Sequence, residues 1–150
     1  MENTLDSVTN DNDVEKNKKI IVENVEMWNS RSSEGLRRQF HPKYVAFMNE
    51  DPPRDAEAYV SASEAYWNAF PDVHVTIHDL FGEKNIVIKH WSMKGTHRGD
   101  GLGIPATGKT FELGNGLATY EFEKGLIREY HVVSDNHSFL QQLGLLPKSE

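Results

Sequence analysis

Phe70-Pro71-Asp72-Val73-His74-Val75-Thr76-Ile77-His78, residues 70–78, is where the period of the chain changes. Before it, Tyr59, Ala62, Tyr66, Ala69 and Phe70 recur at three- and four-residue spacing, the apolar face of a helix that Asp55 can cap after the Pro52-Pro53 break. After it, Val73, Val75 and Ile77 alternate with His74, Thr76 and His78, the two-residue period of a half-buried strand. Three further strands are expected downstream, over about Asn85 to Gly95, Thr110 to Phe122 and Leu126 to Val133. Glu123-Lys124-Gly125 supplies a hairpin turn between the last two. Gly114 and Gly116 mark a bulge or sharp bend in the third.

Upstream, Asp11, Asn12 and Asp13 offer N-caps for a first helix whose buried stripe is Val14, Ile21, Val25 and Trp28. Ser30 to Gly35 ends it, and a short helical piece around Leu36 to Phe40 is closed by His41-Pro42, because the residue before proline avoids helix. At the other end, Asp135 or Asn136 caps a short helix containing Phe139, Leu140 and Leu143, stopped by Gly144 and Pro147. Helices first and an antiparallel sheet afterwards describe a segregated α+β fold. A strongly curved, mainly antiparallel sheet of four to six strands, wrapped against the N-terminal helices, would enclose a pocket at its open end. Residues 1–11 are polar, without periodicity, and are expected to fray, leaving residues 12–150 as one domain.

The net charge of -7, with no basic cluster longer than Lys18-Lys19 or Arg37-Arg38, argues against nucleic acid and anionic membrane as partners. The absence of cysteine removes disulfides and thiolate chemistry. No apolar run approaches a membrane span, and Met1 to Lys19 lacks the pattern of a signal peptide, so a cytoplasmic location is the default expectation.

Gly103 to Thr110 reads G-I-P-A-T-G-K-T, which matches a phosphate-binding loop letter for letter. That motif works only between a buried strand and a helix whose N-terminal N–H groups face the phosphates. Here Gly95 to Gly101 leads in as a turn-rich stretch, and Phe111 to Gly116 follows with strand alternation. The segment reads as a loop joining two strands at a pocket rim.

Of the seven histidines, His74 and His78 share a strand face but lie about 13 Å apart at strand rise, too far to bind one metal, and no metal site is expected. The last strand is more informative. Glu129, His131, Val133 and Asp135 share one face, and Tyr130, Val132 and Ser134 the other. If the first face lines the pocket, it brings a carboxylate and a histidine into it. Asp135 has an equally direct structural reading as the N-cap of the following helix, and the two roles can coexist.

Read together, these residues resemble the SnoaL-like polyketide and ester cyclases, which share the nuclear-transport-factor-like cone fold. The resemblance is carried by Phe70-Pro71-Asp72, by Gly95-Thr96-His97-Arg98-Gly99, and by Leu102 to Lys109. It continues with Glu123 to Glu129, and with Asp135 followed by Leu140-Gln141-Gln142-Leu143-Gly144, so that it runs over roughly residues 14–147. It implies a cone-shaped α+β barrel and an intramolecular aldol-type ring closure on a small apolar carbonyl compound, without metal or cofactor. Asp135 is then the acid/base, with His131 and His97 polarising or orienting the substrate. Trp28, Asn49, Tyr66, His90, Trp91 and Asn115 are the candidate substrate contacts, although aromatics at these spacings serve equally as core or dimer contacts. His97 can instead pin the loop that follows it. His131 stands where members often carry Trp, and His90 near a common Arg. Hydrolysis or isomerisation in the same pocket, or ligand binding without catalysis, are the competing functions. A homodimer is expected, because the outer face of such a sheet needs cover where it is apolar.

Overall fold

The Asp13 carboxylate accepts the Lys16 N–H at 3.1 Å and so starts the first helix, α1 (Val14–Asn29), with Ile21 and Val25 buried as the stripe predicts. The structure, a computed structural model, describes residues 12–147; the expected fraying of residues 1–11 falls outside them. A short helix, α2 (Ser33–Gln39), leads directly into strand β1 (Phe40–Met48), and α3 (Ala56–Ala69) follows, capped by Asp55. Strands β2 (His74–Glu83), β3 (Ile86–Thr96), β4 (Thr110–Glu123) and β5 (Leu126–Val133) then form a meander, and α4 (Asn136–Gln142) closes the chain.

The sheet order is β1-β5-β4-β3-β2. Every pairing is antiparallel except β1 with β5, so the sheet is mixed, with a parallel strand at one edge. Strand β1 is the element that the sequence reading missed. His41-Pro42 reads as a stop, yet proline is tolerated on an edge strand, and here it falls in the register shift between Phe40 and Val45. The rest of that edge is partly covered: the Ala46 N–H reaches the Arg54 carbonyl at 2.8 Å, folding the β1–α3 connection back over it.

Two-residue turns join β2 to β3 and β4 to β5. Lys84 (φ 53°) belongs to the first, and Lys124 and Gly125 (φ 53° and 76°) make up the second, the left-handed backbone that matches strand twist. The expected bulge is present in β4: Trp91 pairs with Gly116 but Met93 pairs with Leu113, so two steps on β3 oppose three on β4. Gly116 is required there because its missing Cβ would lie 2.1 Å from the Trp91 ring. The Gly103–Thr110 segment runs from loop into β4 with no helix after it, so the phosphate-loop geometry is absent.

Candidate functional site

The inner face of the sheet and the two long helices enclose a cavity of about 230 Å³. On β3 the inward positions alternate as Val87, Lys89 and Trp91, and on β5 as Tyr130 and Val132. From α1 come Asn24, Val25 and Trp28, and from α3 Tyr59, Ala62, Ser63 and Tyr66. The Trp28 indole N–H donates to Ser63 Oγ at 3.1 Å, and that hydroxyl donates to the Tyr59 carbonyl at 3.0 Å, which fixes the Trp28 ring against α3. The polar rim is made by Asn49, Asp51 and Arg54 on one side and by Ser134 and Asn136 on the other. Asn49, in left-handed backbone (φ 51°), ties the sides together by accepting the Ser134 N–H at 2.9 Å. Arg54 is held by Asp51 at 3.3 Å. A pocket smaller than the roughly 300–1,000 Å³ of drug-sized sites suits a compact molecule, or one end of a longer molecule entering through the mouth.

Lys89 also lines the cavity, and the sequence reading overlooked it. It is 5 % exposed, with its Nζ 5.6 Å from the Trp91 ring centroid and 5.4 Å from that of Tyr120. Among the described residues no carboxylate forms an ion pair with it. Burial costs an ammonium several kcal/mol of hydration, whereas a desolvated ring face returns about 2 kcal/mol, so burial wins. The Lys89 ammonium is accordingly pushed down to about 7, and near neutral pH much of it is a free amine. The buried tyrosines shift upward for the same reason, because burial disfavours their charged phenolate form. Burial raises Tyr59 to about 12, raises Tyr66, and holds Tyr44, Tyr120 and Tyr130 well above the usual phenol range, so all remain O–H groups.

Of the expected substrate contacts, Trp28, Asn49, Tyr66 and Trp91 line the cavity. His90 and Asn115 do not. One residue from Trp91, His90 must point to the opposite face, where its Nε2 meets Asn115 Oδ1 at 3.1 Å and its Nδ1 meets Asp79 at 3.4 Å.

The three expected catalytic residues are not brought together at the cavity. The grouping of β5 residues by face is right, but the inward face is that of Tyr130 and Val132. His131 is exposed on the outside, stacked on Phe47 at 4.5 Å and bonded to Glu129 at 2.7 Å. Asp135 is exposed and caps α4 by accepting the Ser138 N–H at 2.8 Å. It lies outside the cavity lining, which corrects the expectation of an inward carboxylate. His97 is fully buried at the entrance to the long loop. It accepts from the Thr107 N–H through Nδ1 at 3.2 Å, and its own backbone N–H donates to Lys109 at 2.8 Å, so it pins the loop. No cluster of three His, Asp or Glu side chains among the described residues is arranged to hold a metal ion.

A strongly curved five-stranded sheet closed by helices over an apolar, aromatic cavity defines a cone-shaped α+β protein built around a small-molecule site. The chain belongs to the SnoaL-like polyketide cyclase family, whose model matches residues 7–143. Among solved structures it is similar to AclR, a candidate hydroxylase from Streptomyces galilaeus (24% identity, TM-score 0.81, covering 91% of this chain and 86% of that one). It is also similar to IdmH, a candidate polyketide cyclase from Streptomyces antibioticus (29% identity, TM-score 0.74, 85% and 98% covered). A SnoaL-like protein from Jannaschia sp. CCS1 shares the fold at 14% identity (TM-score 0.80, 89% and 95% covered). The search of curated proteins gave no match. No helix among the described residues is long and apolar enough to cross a membrane.

Proposed function

We propose that the cavity is the active site of a cyclase that closes a ring in a small apolar carbonyl compound by acid/base chemistry that needs no cofactor. The observation that carries this reading is the combination of a mainly apolar, aromatic cavity with one buried amine on its wall whose proton is loosely held. An acidic C–H between carbonyls gives its proton to a base, and the carbanion attacks a second carbonyl of the same molecule. The new alkoxide is then protonated, so substrate and product are isomers. The enclosure contributes by holding both carbons in a near-attack pose. Lys89 is the base, and cavity phenols such as Tyr130 supply O–H donors. Asp135 acts as the cap of α4 in this reading.

A panel of linear compounds with an activated CH₂ and a distant ketone tests it, with isomerisation followed by chromatography and mass spectrometry. Ala62→Trp fills the cavity from α3 and is expected to abolish ring closure, while Asp135→Asn, which keeps the cap, is expected to stay within about threefold. Binding without turnover in the parent protein would make it a carrier instead. Loss of turnover in Asp135→Asn would return the acid/base role to that carboxylate.

The same reading includes a homodimer through the outer sheet face. Leu117 and Val133 are 50 % and 59 % exposed and stand opposite each other in the β4–β5 register. A second row runs across all five strands as Phe81, Ile88, Thr119, His131 and Phe47. The Leu117–Val133 pair, with Phe81, Ile88 and Phe47 on the same sheet face, suits a self-complementary partner. Leu117→Glu is expected to halve the mass measured by light scattering, and a parent protein that is already monomeric would sink the idea.

A further inference from the structure

We propose that Lys89 is a nucleophile as well as a base, capturing a substrate carbonyl as an imine inside the cavity. This rests on the functional reading above and deepens it by naming a covalent step and a substrate class: ketones or aldehydes compact enough to reach the β3 wall. Three observations converge on it. Lys89 lies on the inward face of β3, between Val87 and Trp91, and lines the cavity. Its amine is flanked by two ring faces and carries no ion pair with any described residue, so no carboxylate holds it as an ammonium. The one cation and one carboxylate on the rim, Arg54 and Asp51, are paired with each other. The remaining titratable groups facing the cavity or packed on Lys89 are the phenols Tyr59, Tyr66, Tyr120 and Tyr130, all raised and neutral. Such an amine, desolvated and uncharged, is the form that adds to carbonyls.

The chemistry balances without any further reagent. The nitrogen lone pair forms the C–N bond as the carbonyl π pair moves to oxygen. A proton passes from nitrogen to that oxygen, a second is lent by a cavity phenol such as Tyr130, and water leaves to give the iminium. The adjacent carbon returns a proton to the phenolate, giving an enamine whose carbon attacks the second carbonyl of the same molecule, and the new alkoxide takes the phenol's proton in turn. Water then adds to the new iminium, breaks the C–N bond and restores the amine, and the proton this sets free goes back to the phenolate. The water released in the first half is consumed in the second, so the net reaction is still isomerisation.

Reductive trapping reads the step directly. The full chain is incubated at pH 7 with a small aryl ketone or aryl aldehyde and cyanoborohydride, and modified lysines are located by peptide mass spectrometry. Lys89 is expected to be labelled at least tenfold faster than exposed lysines such as Lys43 or Lys124. That preference should shrink as the pH is raised towards 10, where the exposed amines also become neutral. Ala62→Trp should remove the label from position 89, and Lys89→Met should leave only slow surface labelling. Labelling of Lys89 without ring closure of the dicarbonyl panel would support the nucleophile and sink the cyclase reading. Ring closure with Lys89 labelled no faster than surface lysines would overturn the covalent step and leave acid/base cyclisation standing. Uniform labelling with no ring closure would overturn both.

Discussion

Lys89→Met and Lys89→Arg are expected to lower turnover by about 10²–10⁴-fold, the range for removal of a positioned general base. The two substitutions fail for different reasons, which makes the pair informative. Methionine keeps the length and apolar stem but has no lone pair. Arginine keeps the charge but cannot be deprotonated in a protein, so raising the pH should not restore it. In the parent protein the active form is the free amine, whose proton is held at about 7 by burial. The rate should therefore fall as the pH drops below about 7 and level off above it. If Lys89→Met retained turnover within a few-fold, with the same pH profile, the base would have to be sought elsewhere, first at the rim carboxylate Asp51. If the rate fell only through KM, Lys89 would be a binding contact and no more.

Most of the fold is readable from period alone, because hydrophobic burial acts on one face at a time. The switch at residues 70–78, the β4–β5 turn and the caps at Asp13, Asp55 and Asp135 are local signals whose physics is complete within a few residues. Strand β1 is not local in this sense. Its pairing partner, β5, lies about eighty residues away, and its Pro42 is acceptable only because the strand ends up at an edge.

The candidate site divides along the same line. Trp28, Tyr66 and Trp91 sit on apolar stripes and were readable as cavity walls, with the rim residue Asn49 beside them. Placing Trp91 inside also places Lys89 inside, two residues away, and that implication was available in the sequence. A lysine among strand residues ordinarily reads as solvent-facing, which hides it. On β5 the parity groups were correct but their direction was not. The more apolar pair, Tyr130 and Val132, against Glu129 and His131, was the cue for the inward face. Asp135 gave two readings from one residue, and only the surroundings of its carboxylate separate them.

A second large effect is expected in stability, where the same lysine acts with the opposite sign. In the unfolded chain its amine titrates near 10.4, and in the fold near 7. Below about pH 7 both states carry the proton, and the full cost of burying the charge weighs on the fold. Between about 7 and 10 the unfolded chain binds a proton that the folded one lacks, so folding stability rises with pH by up to about 1.4 kcal/mol per unit. Lys89→Met has no such dependence. It should be more stable than the parent at pH 6, by about 1–4 kcal/mol, as when a buried charge gives way to an apolar side chain of similar volume. In a chain of this size that corresponds to several degrees in Tm. The advantage should shrink by about 3 kcal/mol between pH 7 and 9.5, even to reversal. Taking the difference between variants at each pH cancels the titration of every other group, the tyrosines included. A difference that stays flat across that range would mean that the folded amine keeps its ordinary proton affinity, and the free base invoked at the cavity wall would not exist near neutral pH. A falling difference, together with lost turnover, would show one side chain destabilising the fold for the sake of its chemistry, as expected where a perturbed group sits in a binding cavity.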